Sequence, residues 1–415
     1  LFLEALLSAR DSLYISWTGR NVRDNSERPP SVLVAQLRDH INQRWHCDQG
    51  DPVEALTQAH PLQPFSGQYF DAANDALDTY ANEWRVLHDG EAPQVDNRQP
   101  LPSLDVDEPV NCSVLGRFLK QPVAHFFERR LKAKLKLERQ VLEDSEPFGF
   151  DGLQRYQLQD QLISDALQVG PEQAQSTMQA TLNRLAASGD LPLHPFEEGS
   201  RDSLLVPLAD PLDDYFALLA QSGSPQPQQE IRLTAGPLPL EDWLTDLRGA
   251  TANPQRLVLQ TGRLENRYDK LCRDWVIHLA ACAAGYPLTT RIQGQDGRFT
   301  LLQVTQQAAQ QHLDQLGHAW QQALCHPLPV ACATAFAFLA EEDEEKGVKA
   351  ARNKYTSSDF SRGEVDDPSL ARAWPDFDTL WAQTKEEEPL FLYWTEQLYA
   401  PLFLNSQWAE LGDLS

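Results

Sequence analysis

The chain contains no C-x-x-C pair; its six cysteines, at 47, 112, 272, 282, 325 and 332, are scattered along 415 residues. That spacing excludes the usual zinc and iron–sulfur ligand sets and points to a reduced, cytoplasmic protein without metal or cofactor. No apolar run approaches the roughly 20 residues that a membrane-spanning helix needs. The first residues, Leu1-Phe2-Leu3-Glu4-Ala5, lack both an initiator methionine and a basic n-region. They are not a secretory signal, and the expectation is a fragment whose upstream domains are absent. Positive charge is scarce as well: 35 Lys and Arg stand against 60 Asp and Glu, a formal net charge of −25. A surface that binds nucleic acid everywhere is excluded by that balance, so DNA contact must be local. No internal repeat is visible.

What is present is enough apolar residue, 41% of the chain, to build a core in each of two or three domains. Near the start, Leu3, Leu6 and Leu7 give a helix an apolar face, and Leu13-Tyr14-Ile15-Ser16-Trp17 reads as a strand. Ser31 is the expected N-cap of a helix carrying Val32, Leu33, Leu37 and Ile41, and a further helix is expected through Tyr80 and Trp84. His46, Cys47 and His60 fit no known metal-ligand spacing and are read as surface or packing residues. Residues 91–113, rich in Pro, Asp, Asn and Gln, form the expected linker between a domain at 1–90 and one at 114–415.

From Val114 an amphipathic helix begins, and Pro122 should kink or split it. It runs into Arg129, Arg130, Lys132, Lys134 and Lys136, the most basic stretch of an acidic chain. From Leu131 onward apolar and basic residues alternate, so an extended strand with Lys132, Lys134 and Lys136 on one face is expected there. Those five cations are the candidate DNA-binding residues, by phosphate contact; a solvated face is the alternative. Helices follow to Ala187 and from Ser200 to Gly223, then a hairpin over Thr289–Thr305 and a helix over Gln306–Leu324. The run Pro327–Leu339 is buried but of open conformation. Glu341 to Glu345 read as the solvated start of a helix.

The central stretch is Pro239–Gly285. It reads as a strand (Leu240–Leu247), a turn, a buried strand (Arg256–Gly262) and a helix (Asn266–Ala284) with Tyr268, Leu271, Cys272, Trp275, Leu279 and Cys282 on one face. This order resembles the core of PD-(D/E)xK nucleases. The resemblance implies an Asp ending the first strand and an acid and a Lys ending the second, with carboxylates holding Mg²⁺ and Lys positioning water. Here Thr245 stands for the first Asp, Gln260 for the second acid and Gly262 for the Lys. Neither Thr nor Gln carries the charge that holds Mg²⁺. Leu7-Ser8-Ala9-Arg10-Asp11-Ser12-Leu13-Tyr14 resembles the last conserved motif of UvrD-like superfamily 1 helicases, with Ser8 where the resemblance implies the γ-phosphate arginine.

A degenerate helicase end followed by a degenerate nuclease core resembles the C-terminal part of the RecC family, the γ subunits of exodeoxyribonuclease V. Further matching stretches are Asp24-Asn25-Ser26-Glu27-Arg28, Pro30-Ser31-Val32-Leu33-Val34, Glu146-Pro147-Phe148, Gly189-Asp190-Leu191-Pro192 and Arg362-Gly363-Glu364. The fold class expected is mixed α/β (α+β): the end of a superfamily 1 helicase-like domain, then a PD-(D/E)xK nuclease-like domain with extra helices. The resemblance implies a non-catalytic subunit working with RecB-like and RecD-like subunits on double-stranded DNA ends and forked or single-stranded DNA. Double-strand break repair by recombination is the implied process. Two other readings stand beside it. One is an active Mg-dependent nuclease with relocated acids, for which Asp242, Asp246 and Glu265 are the candidates. The other is a protein-interaction module without DNA contact.

Overall fold

The computed structural model describes residues 2–21, 26–48, 50–71, 77–88, 99–104, 106, 108–135, 149–192, 194–250, 252–358, 361–385 and 388–411. The chain divides into two compact units, Leu1–Asn97 and Arg98–Ser415.

The first unit contains α1 (Phe2–Ser8), α2 (Val32–Arg44) and α3 (Pro52–Ala55). The apolar face expected on α1 is not covered: Leu3 and Leu7 are exposed. The strand expected at Leu13–Trp17 is absent. A strand needs a neighbour to pair its N–H and C=O groups, and the described residues place none alongside. Ser31 occupies the N-cap position of α2, but its hydroxyl makes no capping bond. Asp51 caps α3, accepting from the Val53 and Glu54 N–H groups. The helix expected through Tyr80 and Trp84 shrinks to a 3-10 turn, Asn82–Leu87.

The second unit begins inside the expected linker. Leu101 N–H donates to Cys325 O at 2.8 Å, and Val110 and Leu240 form a parallel bridge, so Leu101 and Val110 are packed on the second unit. Asn111 caps α4 (Cys112–Lys120), accepting from Val114 N–H. Pro122 splits the helix, because it has no N–H to continue the ladder. It opens α5 (Pro122–His125), which runs into a π turn, Phe126–Arg130. The strand expected from Leu131 does not form over residues 131–135; Lys132 takes φ +54°, which breaks the alternation. Residues 136–139 lie outside the described residues.

Three helices then form a lobe: α6 (Gly152–Val169), α7 (Pro171–Ser188) and α8 (Glu197–Gln221). Asp151 and Gln154 close a reciprocal capping box at the start of α6. Leu162, Ile163, Leu182, Leu204 and Leu208 give this lobe its own apolar core, separate from the main one.

The main core is built on two sheets. A hairpin pairs β1 (Gln229–Ala235) with β2 (Leu238–Leu244). A five-stranded sheet has the order β3 (Leu247–Arg248), β4 (Gln255–Leu259), β5 (Thr289–Gln293), β6 (Gly297–Leu301), β9 (Ser406–Glu410). Only β4 and β5 run parallel in it. The strand expected over Leu240–Leu247 is thus two strands in different sheets. Asp246 lies between them with φ +62°, a conformation no strand contains. The helix expected from Asn266 starts later, as α9 (Cys272–Ala283). Asn266 itself has φ +55°, and Tyr268–Lys270 form a 3-10 turn. Ten of the twelve residues of α9 are buried, as a crossover between parallel strands requires. It packs against α4 and against α10 (Gln306–Gln322). The α4 approach is close enough that a Cβ on Gly116 would lie 2.6 Å from Arg273 Cα.

The run left open at Pro327–Leu339 becomes α11 (Cys332–Leu339), preceded by irregular chain in which Val330 N–H donates to Leu328 O at 2.8 Å. Asp343 caps α12 (Glu344–Tyr355), whose acidic first turn suits the positive end of the helix dipole. Then come α13 (Pro368–Ala373), α14 (Phe377–Trp381), the short pair β7 (Thr384–Lys385) and β8 (Glu388–Pro389), α15 (Leu390–Leu398) and α16 (Ala400–Leu404). Tyr399, fully buried, donates its hydroxyl to Leu119 O at 2.9 Å and ties this end of the unit to α4. The chain is a mixed α/β protein.

Candidate functional site

The three degenerate positions lie along the β2–β4 region, each with an internal partner or strain of its own. Thr245 sits in the exposed turn after β2 and donates to Asp246 Oδ2 at 2.8 Å. Gln260 continues β4, its N–H still bonded to Gln293 O. Its side-chain Nε2 donates to Asp274 Oδ2 at 2.8 Å. The other oxygen of Asp274 accepts from Arg256 Nη1 at 2.7 Å. Arg256 and Asp274 are 6% and 4% exposed, so this is a buried ion pair with an amide closing the second oxygen. Two charges removed from water hold only when geometry and extra hydrogen bonds compensate, and here both carboxylate oxygens are occupied by nitrogen donors.

Gly262 takes φ +86°, a left-handed backbone that favours glycine. A Cβ built there would lie 3.2 Å from Lys270 Nζ. That ammonium donates to Thr261 O at 3.2 Å and Arg263 O at 3.0 Å. A lysine from the turn before α9 therefore delivers its charge beside Gly262. Burial, then the Arg267 charge, lowers the Lys270 pKa from its ordinary value.

The helical lobe stands over this end of β4. Thr261 Oγ1 donates to Asp160 Oδ1 at 2.8 Å, and Gln295 Nε2 to Gln159 Oε1 at 3.1 Å. Tyr215 hydroxyl donates to Leu257 O at 3.3 Å. The Tyr156 ring centroid is 6.0 Å from Lys270 Nζ. Of the acids considered as relocated metal ligands, Asp242 has both oxygens engaged. Oδ2 accepts from Cys112 N–H at 2.9 Å, capping α4, and Oδ1 from Trp243 N–H at 2.8 Å. Asp246 and Glu265 are exposed. Among the described residues no three His, Cys, Asp or Glu converge as a metal site.

The basic stretch is arranged differently. Arg129 is exposed, with its guanidinium carbon 5.9 Å from the centroid of the buried Trp320 ring. Arg130 Nη2 donates to Pro102 O at 2.8 Å. Lys132 and Lys134 are exposed, and Lys136 lies outside the described residues. Beneath them His125 packs between Phe118 and Trp320, at ring distances of 5.0 and 4.7 Å. Burial, then the Arg129 charge, lowers its pKa to about 3. In the first unit, Ser8 is exposed in α1 and donates to Ala5 O at 2.7 Å.

Sequence reasoning singled out Thr245, Gln260 and Gly262; it did not single out Arg256, Asp274, Lys270 or Asp160, which the structure sets beside Gln260 and Gly262. A signal existed for two of them. Arg256 precedes the apolar run Leu257-Val258-Leu259 and Asp274 adjoins Trp275 on a largely apolar helix, so each needed a buried partner.

The family model of the RecC C-terminal domain matches residues 107–343. The chain is similar to the RecBCD enzyme subunit RecC of Escherichia coli (strain K12), 30% identical over 434 aligned positions. These cover 98% of this chain and 36% of that protein. The Haemophilus influenzae RecC is 36% identical over 167 positions, covering 39% of this chain and 14% of that protein. The Mycolicibacterium smegmatis RecC is 30% identical over 305 positions, covering 69% and 25%. The chain thus spans about a third of the length of the Escherichia coli relative.

Proposed function

The chain belongs to the RecC C-terminal domain family, and from that premise we propose that it is a non-catalytic part of a RecBCD-type helicase–nuclease. In this reading residues 1–90 are the end of an inactive helicase-like domain, 91–113 the connection, and 114–415 an inactive nuclease-like domain. Its work is to guide and split DNA at a double-strand end, by local contact through the basic stretch, and to dock RecB-like and RecD-like subunits. The crossover of β4, α9 and parallel β5 supports the nuclease-like part.

The observation that carries the non-catalytic reading is the saturated carboxylate of Asp274. A nuclease of this architecture keeps carboxylate oxygens free for a hard divalent ion. Asp274 gives both of its oxygens to Arg256 and Gln260, so a guanidinium stands as the counter-charge. The covering of Thr261 by Asp160 works in the same direction. The purified chain, given Mg²⁺ or Mn²⁺ and single- or double-stranded DNA, is expected to leave the DNA intact. Cleavage that survives purification to homogeneity and disappears in Asp274→Asn or Asp242→Asn would overturn the reading.

A further inference from the structure

The cations that close the π turn Phe126–Arg130 are not equivalent. Leu131 N–H bonds Phe126 O at 3.2 Å, and Ala133 N–H reaches back to Phe127 O at 2.8 Å. This bond reaches one residue further than the Schellman bond that closes an α-helix, and here too the residue just before the donor takes the left-handed backbone where glycine is the usual choice. This chain has Lys132 there, with φ +54°. A side chain in that conformation is disfavoured against glycine, and such an outlier motivates a search for function. The dipole of the preceding turn favours cations at this end in any case. It does not call for a lysine at the one position where glycine would fit better.

Arg129 is held from beneath. Its guanidinium lies over Trp320, which is 2% exposed and backed by His125. That guanidinium makes no hydrogen bond to the described residues that would occupy its N–H groups, and a guanidinium suits a two-oxygen acceptor. Arg130 instead spends a donor on Pro102 O, fastening the turn to the chain before α4. From Cys112 to Leu135 the sequence holds six Lys or Arg and a single acid, Glu128, in a chain whose net charge is −25; of these, Lys120 pairs with Asp269 at 3.6 Å.

We propose that Arg129 and Lys132 form a two-cation seat for a nucleic-acid backbone phosphate, with Arg130 as its structural tether. This rests on the DNA-guiding reading and divides its basic stretch into contact and support. The test is anisotropy of a labelled forked duplex with oligo-dT arms, titrated with the full chain at several salt concentrations, beside thermal melting. Arg129→Ala and Lys132→Gly should each weaken binding about three- to tenfold and lower the salt slope by about one. Lys132→Gly should melt at or above wild type, which separates lost contact from lost folding. Arg130→Met should melt lower. Arg184→Ala, a cation removed from the exposed face of α7, serves as the charge control and should bind as wild type. If Arg129→Ala and Lys132→Gly bind as tightly as Arg184→Ala, the phosphate seat is wrong while DNA guiding stands. If the wild type does not bind the fork at all, DNA guiding falls and takes the seat with it.

Discussion

Charge gathers at the end of β4 and at the end of the π turn, and the two places treat it in opposite ways. At β4, Arg256, Asp274, Gln260 and Lys270 face one another and the protein's own carbonyls. At the π turn, Arg129, Lys132 and Lys134 face water. Inward charges are held by low-dielectric pairing, so removing one partner strands the other. Outward charges are screened, so removing one barely touches the fold. The contrast teaches where stability and binding separate in this chain. On the proposed reading, the end of β4 is architecture and the π turn is the surface that meets DNA.

The sharpest way to break the comparison is at the buried pair. Arg256→Met leaves Asp274 charged and unpaired, and should cost about 3–5 kcal/mol of stability in urea unfolding. The double change Arg256→Met with Asp274→Leu should recover most of that loss. A single change costing under about 1 kcal/mol would show that the pair is not holding this end together.

Next in size is pH. An unfolded histidine binds a proton near 6.5, whereas folded His125 does so only at about 3. Between those values the unfolded state holds more protons. Stability is therefore full above about 6.5 and falls as pH drops toward 3, by about 2 kcal/mol near pH 5. His125→Gln should flatten that slope between pH 7 and pH 5. Unfolding midpoints that fall equally in the variant and wild type would remove His125 as the cause.

Gly262→Ala should cost about 1–2 kcal/mol, because it combines a left-handed backbone with a close approach to Lys270. A neutral result would mean that Lys270 is not confined there. Smallest of all, Arg129→Ala should shift the unfolding free energy by no more than about 0.5 kcal/mol. A larger loss would make Arg129 a structural residue like Arg256 and erase the contrast.

Much of the architecture is readable from residue pattern. The apolar run bounded by Pro254 and Gly262 gives β4, the turn at Gly294–Gly297 gives the β5–β6 hairpin, and Pro122 splits its helix. The break between β2 and β3 is not readable, since nothing in Leu244-Thr245-Asp246-Leu247 announces a positive φ at an aspartate. Leu13–Trp17 has the composition of a strand and no partner among the described residues, and composition cannot supply a neighbour. At the site, the sequence singled out Thr245, Gln260 and Gly262 but not the residues that pack against them. Arg256 and Asp274 are 18 residues apart and meet only because a crossover returns the chain over the sheet. Lys270 fills in beside Gly262 from a turn whose position depends on Asn266, another positive φ that the pattern conceals.

The strand β9 pairs with β6 although Leu301 and its partner Ser406 are more than a hundred positions apart. During synthesis β6 emerges long before its companion, so its outer rim of amides and carbonyls must wait uncovered while α10 to α16 are made. An uncovered rim is a template for any passing strand. While the span from Leu302 to Asn405 is being made, that edge of β6 lacks its β9 partner.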